Sequence, residues 1–165
     1  MENLKTYSLF IIKPGFIDKE SEITKILEEN DIKVVKREKC LLPLSRVEKH
    51  YSEHLGKPFY NTLVGYMTNG NVGDIYKFNP NCVKMIVSST RPNEAEDEFI
   101  TRSRAVVKEI IRPRIELKAE HFDLSPEDFK ELKCTANGLH ASDCAASAER
   151  EINNMFPCFE QELEK

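Results

Sequence analysis

An α/β (α+β) fold of the ferredoxin-like sandwich type is what the order of elements in this sequence predicts: an antiparallel four-stranded sheet with helices packed on one face, plus a helical insertion near residues 93–133. Three observations carry that expectation. Short β-rich runs and helical patterns follow one another as β-α-β-α-α-β-α-(insert)-β-α. The chain of 165 residues suits one domain, 1–165, with a sizeable core but not two independent ones. Its 40% hydrophobic and 32% charged content is that of a soluble globular protein.

Residues 7–12 form a β-rich run closed by Lys13-Pro14-Gly15. It lacks strict alternation and so reads as a central strand covered on both faces. Ile23, Ile26 and Leu27 mark an amphipathic helix from Ser21 to about Asn30-Asp31. Residues 32–42 read as a second strand, and Ser45 with Glu48 has the spacing of a capping box opening a helix towards Leu55. Gly56-Lys57-Pro58 breaks it, and residues 59–67 form the next helix. After the Asn69-Gly70-Asn71 turn, residues 72–78 are expected as a strand, although Gly73 and Asp74 suit one poorly. Pro80 suits the first turn of a helix over residues 80–87, ended by Thr90-Arg91-Pro92. Within the insertion, residues 104–111 are helical up to Arg112-Pro113, and Ser125-Pro126-Glu127-Asp128 caps a second helix. Residues 134–136 are the expected last strand, residues 144–155 the last helix, and the polar tail after Pro157 a surface arm.

Composition narrows function. A net charge of -4 argues against general binding to nucleic acid or anionic membranes. No stretch approaches a membrane span, and the N-terminus does not read as a signal peptide. The five cysteines, Cys40, Cys82, Cys134, Cys144 and Cys158, are widely spaced without a Cys-x-x-Cys pair. That pattern fits neither a zinc cluster nor a disulfide framework, and it suits a reducing cytoplasm.

The chemistry is densest at Asn137-Gly138-Leu139-His140-Ala141-Ser142-Asp143. Ser142 and Asp143 are good N-cap residues for the helix that follows. His140 is therefore expected on a loop feeding a helix N-terminus, where free N–H groups and the dipole favour a phosphate. Standing alone, it would more often be an ordinary loop histidine.

Over nearly its whole length the sequence resembles the nucleoside diphosphate kinases. Asn137-x-x-His140-Ala141-Ser142-Asp143, followed by Ser147-Ala148-Glu149-Arg150-Glu151-Ile152, is similar to that family's active-site signature, with alanine where glycine is frequent. Phe10-Ile11-Ile12-Lys13-Pro14 resembles its first strand and lysine. His50-Tyr51, Lys57-Pro58-Phe59-Tyr60, Val64-Gly65-Tyr66-Met67 and Thr90-Arg91-Pro92 then follow in family order. The resemblance implies transfer of the γ-phosphate of a nucleoside triphosphate (ATP, GTP) to a nucleoside diphosphate (ADP, GDP) through a phosphohistidine, with ping-pong kinetics. By match, His140 is the catalytic nucleophile, supported by Tyr51, Ser142 and Glu151. Lys13, Phe59, Lys84, Thr90, Arg102 and Asn137 bind the nucleotide, with Phe59 as the platform for the base. Mg²⁺ is implied as the cofactor, carried on the nucleotide phosphates without a dedicated metal site. A cytoplasmic homo-oligomer is implied as well.

The sequence also departs from the pattern. The turn after Lys13 is one residue short, lysine stands at position 84 where an arginine is usual, and the Gly-Thr-Ile-Arg-Gly-Asp segment is absent. Arg102 lies nearest the missing arginine's spacing, with Arg104, Arg112 and Arg114 as alternatives. These departures motivate a second reading, a divergent nucleotide-binding or regulatory member with weak or no phosphotransfer. A third, a metal hydrolase built on His50, His54, His121 and His140, lacks a glutamate base after the first histidine.

Overall fold

The computed structural model describes residues 6–163. Four strands make one antiparallel sheet: β1 (Tyr7–Ile12), β2 (Ile32–Cys40), β5 (Cys82–Ser89) and β6 (Leu139–Ala141), in the spatial order β2-β5-β1-β6. Between them run α1 (Glu20–Glu29), α2 (Leu44–His50) and α3 (Tyr60–Asn69). A small hairpin of β3 (Asn71–Val72) and β4 (Tyr76–Lys77) follows. The 93–133 region is helical as expected: α4 (Glu96–Val106), a π turn over Val107–Ile111, α5 (Arg112–Ile115) and α6 (Pro126–Thr135). The chain closes with α7 (Ala145–Met155) and α8 (Phe159–Leu163).

Leu9, Phe10, Ile11 and Ile12 of β1 and Val83, Met85, Ile86 and Val87 of β5 are buried whichever way they point. Both faces of the two central strands are therefore covered, which corrects the one-face expectation. β2 keeps one exposed face, as an edge strand does.

Several local expectations give way. Residues 80–87 are not a helix. The run Cys82-Val83-Lys84-Met85-Ile86-Val87 becomes β5, because a buried β-branched run pairs on both sides, with β1 and with β2. Residues 72–78 split into the hairpin, with Gly73 and Asp74 at its turn. Residues 134–135 continue α6, whose N-cap Ser125 accepts from the Asp128 amide as the sequence suggests. The Ser45–Glu48 box does not form; α2 starts at Leu44 behind Pro43. The tail is no free arm: Phe159 is buried and meets the Tyr7 ring edge to face, 5.2 Å between centroids.

Candidate active site

His140 lies at the middle of β6, opposite Ile11 of β1, and not on a capping loop. Strand alternation decides where it points. Leu139 and Ala141 are buried on one side of β6, so His140 projects from the other. Gly138 makes the entry possible: at φ +99 it occupies a conformation that suits glycine, and its carbonyl accepts the Lys13 amide at 2.9 Å. α7 begins beyond it, and its N-cap is Cys144, whose sulfur accepts from the Ser147 amide, rather than Ser142 or Asp143.

The imidazole is held from one side. Its Nε2 lies 2.9 Å from Oε1 of Glu151, and the Ser142 hydroxyl donates to that same oxygen at 2.7 Å. Ser142 Oγ in turn accepts from the Leu9 amide. Burial pushes the Glu151 carboxyl up, but its hydrogen bonds and the two neighbouring histidines outweigh this and hold it below the usual range. With Nε2 engaged, Nδ1 is the nitrogen left for chemistry.

Two clefts meet at His140 and Tyr51. One, about 390 Å³, is lined by Lys13, Phe59, Leu63 and Asn137. The other, about 180 Å³, is lined by His50, Arg104, Arg112 and Asp143. Lys13 leaves the end of β1 almost fully buried, and its ammonium donates to Asn137 Oδ1 at 2.8 Å. Burial above all, with Arg112 nearby, lowers its pKa to about 7. Burial and Arg104 likewise lower that of Arg112. Cationic groups thus line both clefts that meet at His140, Lys13 in one and Arg104 and Arg112 in the other, an arrangement that favours anions. The Tyr51 hydroxyl is buried with no hydrogen-bond partner among the described residues, and burial pushes its pKa up. Phe59 is 49% exposed at the mouth of the larger cleft, with His54 tilted against its ring.

The insertion delivers the arginines. In a continuous α-helix, residues 104 and 112 would stand roughly 80° apart around the axis. The π turn adds one residue, so they behave like an i, i+7 pair, about 20° apart. Pro113 supplies the cause, because its ring lacks an N–H and crowds the carbonyl four residues before it.

Three residues expected at the nucleotide lie elsewhere. Lys84 Nζ donates to the Met155 carbonyl at 2.5 Å, pairs with Glu38 at 3.0 Å and sits 4.5 Å from the Phe156 ring centroid. It fastens the C-terminal end of α7. Thr90 follows the far end of β5, since Ile12 pairs with Val83 at the near end; the eight-residue strand separates it from Lys13 by roughly 25 Å. Its amide donates to the Asp31 carbonyl. Arg102 is also at that end, bound to Glu94 at 2.7 Å and to the Asn30 and Asp31 carbonyls. Spacing along the sequence does not place these residues, because residues 82–89 extend as a strand instead of coiling and the insertion shifts the register beyond Thr90. Arg104 and Arg112, named only as alternatives, are the arginines at the cleft.

In the sequence His50 figures in the His50-Tyr51 motif and in the metal-hydrolase alternative. Its buried ring meets that of His140 edge to face, centroids 4.6 Å apart, and its Nδ1 has no partner among the described residues. Burial, reinforced by His140, lowers its pKa to about 3, so it is neutral. His54 lines the smaller cleft, while His121 lies in a 3₁₀ turn of the insertion, away from both clefts.

A family model described as nucleoside diphosphate kinase matches residues 6–161. The chain belongs to the nucleoside diphosphate kinase family. It is a phosphotransferase by that membership. Among its relatives, the nucleoside diphosphate kinase of Staphylococcus aureus strain JH9 is 29% identical over 154 residues, covering 90% of this chain and 86% of the relative. That of strain N315 gives the same figures, 29% with 90% and 86% covered. Two nucleoside diphosphate kinase crystal structures share the fold at 18% identity. The apo cubic form from Encephalitozoon cuniculi has a TM-score of 0.61, covering 92% of this chain and 88% of that one. The orthorhombic form from Aquifex aeolicus has a TM-score of 0.62, covering 92% and 94%. Among the described residues no helix is long and apolar enough to cross a membrane.

Proposed function

We propose that this family member is an active nucleoside diphosphate kinase using His140. The observation that carries the reading is the imidazole held at Nε2 by the Glu151–Ser142 pair, where a cleft lined by Lys13 meets one lined by Arg104 and Arg112. In the first half-reaction the Nδ1 lone pair attacks the γ-phosphorus of ATP or GTP. The bond to the bridging oxygen breaks, and the diphosphate leaves with that electron pair. In the second, the terminal oxygen of ADP, GDP or another diphosphate attacks the phosphohistidine and returns the pair to Nδ1, giving ping-pong kinetics.

Lys13 and the two arginines stabilise charge on the equatorial oxygens, and the unpartnered Tyr51 hydroxyl supplies one more hydrogen bond. Entry of a polyphosphate favours the charged form of Lys13, so binding takes up a proton above about pH 7. Phe59 carries the base and Asn137 the sugar. Mg²⁺ arrives as part of the substrate: the one candidate metal group among the described residues contains two imidazoles, whereas Mg²⁺ requires oxygen donors. We place the enzyme in the cytoplasm as a homo-oligomer acting through a single domain, on the family resemblance.

The regulatory reading draws on the short turn after Lys13, on Lys84 and on the missing arginine segment. Lys84 holds α7 instead, and Arg104 and Arg112 supply guanidinium groups at the cleft, so neither of the last two departures favours lost turnover. Incubation with γ-³²P-ATP and Mg²⁺, a denaturing gel and a chase with a nucleoside diphosphate test the proposal. An acid-labile label, absent in His140→Ala and discharged by the chase, is expected. Nucleotide binding without any label would refute it.

A further inference from the structure

We propose that His50, His140 and Glu151 form a binding site for a divalent transition metal, with Zn²⁺ the best match, and that its occupancy withdraws His140 from phosphotransfer. One ligand atom from each residue lies within 4.8 Å of the others. His50 and Glu151 are each 5% exposed, and Nδ1 of His50 has no hydrogen-bond partner among the described residues. The two rings stand nearly perpendicular, at 77°, so nitrogen lone pairs from different directions can converge on one point.

Two imidazoles and a carboxylate are a ligand set Zn²⁺ accepts, with water from the cleft in the fourth position. Metal–ligand distances of about 2.0–2.2 Å place neighbouring ligand atoms about 3.4 Å apart. The Glu151–His140 pair, at 2.9 Å, has to open slightly. The widest pair, at up to 4.8 Å, has to close by about 1.4 Å, which side-chain rotation supplies. Ser142, on the same Glu151 oxygen, orients the carboxylate from outside. Lys13, Arg104 and Arg112 repel a hydrated dication, so retention depends on direct bonds to nitrogen. That selects Zn²⁺ over Mg²⁺.

The effect on His140 follows from proton balance. In the unliganded site Nε2 carries the proton that faces Glu151, and Nδ1 keeps its lone pair. Coordination of the metal at Nε2 displaces that proton to Nδ1, and the imidazole remains neutral. Nδ1 then has no lone pair to attack phosphorus. The metal site stands on its own geometry; only its link to activity rests on the phosphotransfer reading.

The test uses the full chain without nucleotide, titrated with zinc chloride while the ring nitrogens of its 4 histidines are followed by long-range ¹H–¹⁵N spectra. Saturable shifts at His50 and His140 after one equivalent, with His54 and His121 unmoved, are expected. Cobalt chloride should give tetrahedral visible bands without thiolate charge transfer. His50→Gln should weaken Zn²⁺ binding by more than roughly 100-fold, beyond what loss of an outer partner costs. Zinc should suppress ³²P labelling of the wild type reversibly with chelator, while His50→Gln keeps its own zinc-free level at the same concentration. Shifts confined to His54 or His121, a thiolate band, or no saturation would overturn the proposal, and the wild-type spectra decide this even if the variant does not fold. Metal binding in a protein that never labels would support the site and count against the phosphotransfer reading alone.

Discussion

Lys13→Met tests what it costs to keep a phosphate-binding ammonium under the fold. Burial lowers the Lys13 pKa from 10.5 to about 7. At about 1.4 kcal/mol per pKa unit, the charged form destabilises the folded state by about 4 kcal/mol at pH 7. The sign is fixed by which state holds the proton. Folded Lys13 releases it near pH 7 and unfolded Lys13 only near 10.5. Between these values the unfolded chain binds more protons, and wild-type stability rises with pH. The penalty is fully present below pH 7 and falls to about 2 kcal/mol by pH 9. Methionine fills a similar volume without charge and leaves the half-buried Asn137 oxygen to water, at about 1 kcal/mol. The variant should therefore be more stable than wild type by about 2–3 kcal/mol at pH 7, with the advantage shrinking towards pH 9, and should lose phosphate labelling. Urea unfolding of both proteins from pH 6.5 to 9.5 measures this. The difference between the curves is dominated by Lys13, because the Cys82 thiol, pushed up to about 12 chiefly by burial, contributes in the opposite sense and keeps that burial in both proteins. A variant less stable than wild type at pH 7, with a parallel pH curve, would refute the reasoning: Lys13 would then keep its proton in the fold at no cost.

Two further outcomes test the placement of residues around the cleft. Gly138→Ala puts a Cβ 2.6 Å from Ile115 Cδ1 at a φ of +99. It should cost about 1–3 kcal/mol in thermal unfolding and slow labelling of His140, two residues on. Equal stability and rate would mean the turn relaxes freely. Arg102→Ala leaves the Glu94 carboxylate, 7% exposed, without its guanidinium; it should destabilise by about 3 kcal/mol and leave nucleotide affinity unchanged. Weaker nucleotide binding at unaltered stability would return Arg102 to the site.

The sequence by itself determined the local chemistry. Residues 7–12 read as a buried central strand because apolar side chains on both faces leave no other use for such a run. Ser125-Pro126 capped its helix because that signal is satisfied within one turn. The signature from Asn137 to Glu151 brought His140, Ser142 and Glu151 together because they lie within one strand and the helix that follows. What depended on distant parts of the chain was not legible. Whether residues 82–89 extend or coil is decided by two neighbouring strands that hydrogen-bond them from either side, and the periodicity of a short, mostly apolar run does not distinguish the two. Once that run became β5, Thr90 moved to the far end of the sheet and Lys84 beneath the end of α7. The arginines of the cleft depended on a π turn in front of Pro113. One added residue rotates Arg112 onto the face of Arg104, and no residue count along the chain carries that angle. His140 took its direction from strand pairing with Ile11, because pleating sends alternate side chains to opposite faces. Only tertiary pairing fixed which face met the cleft.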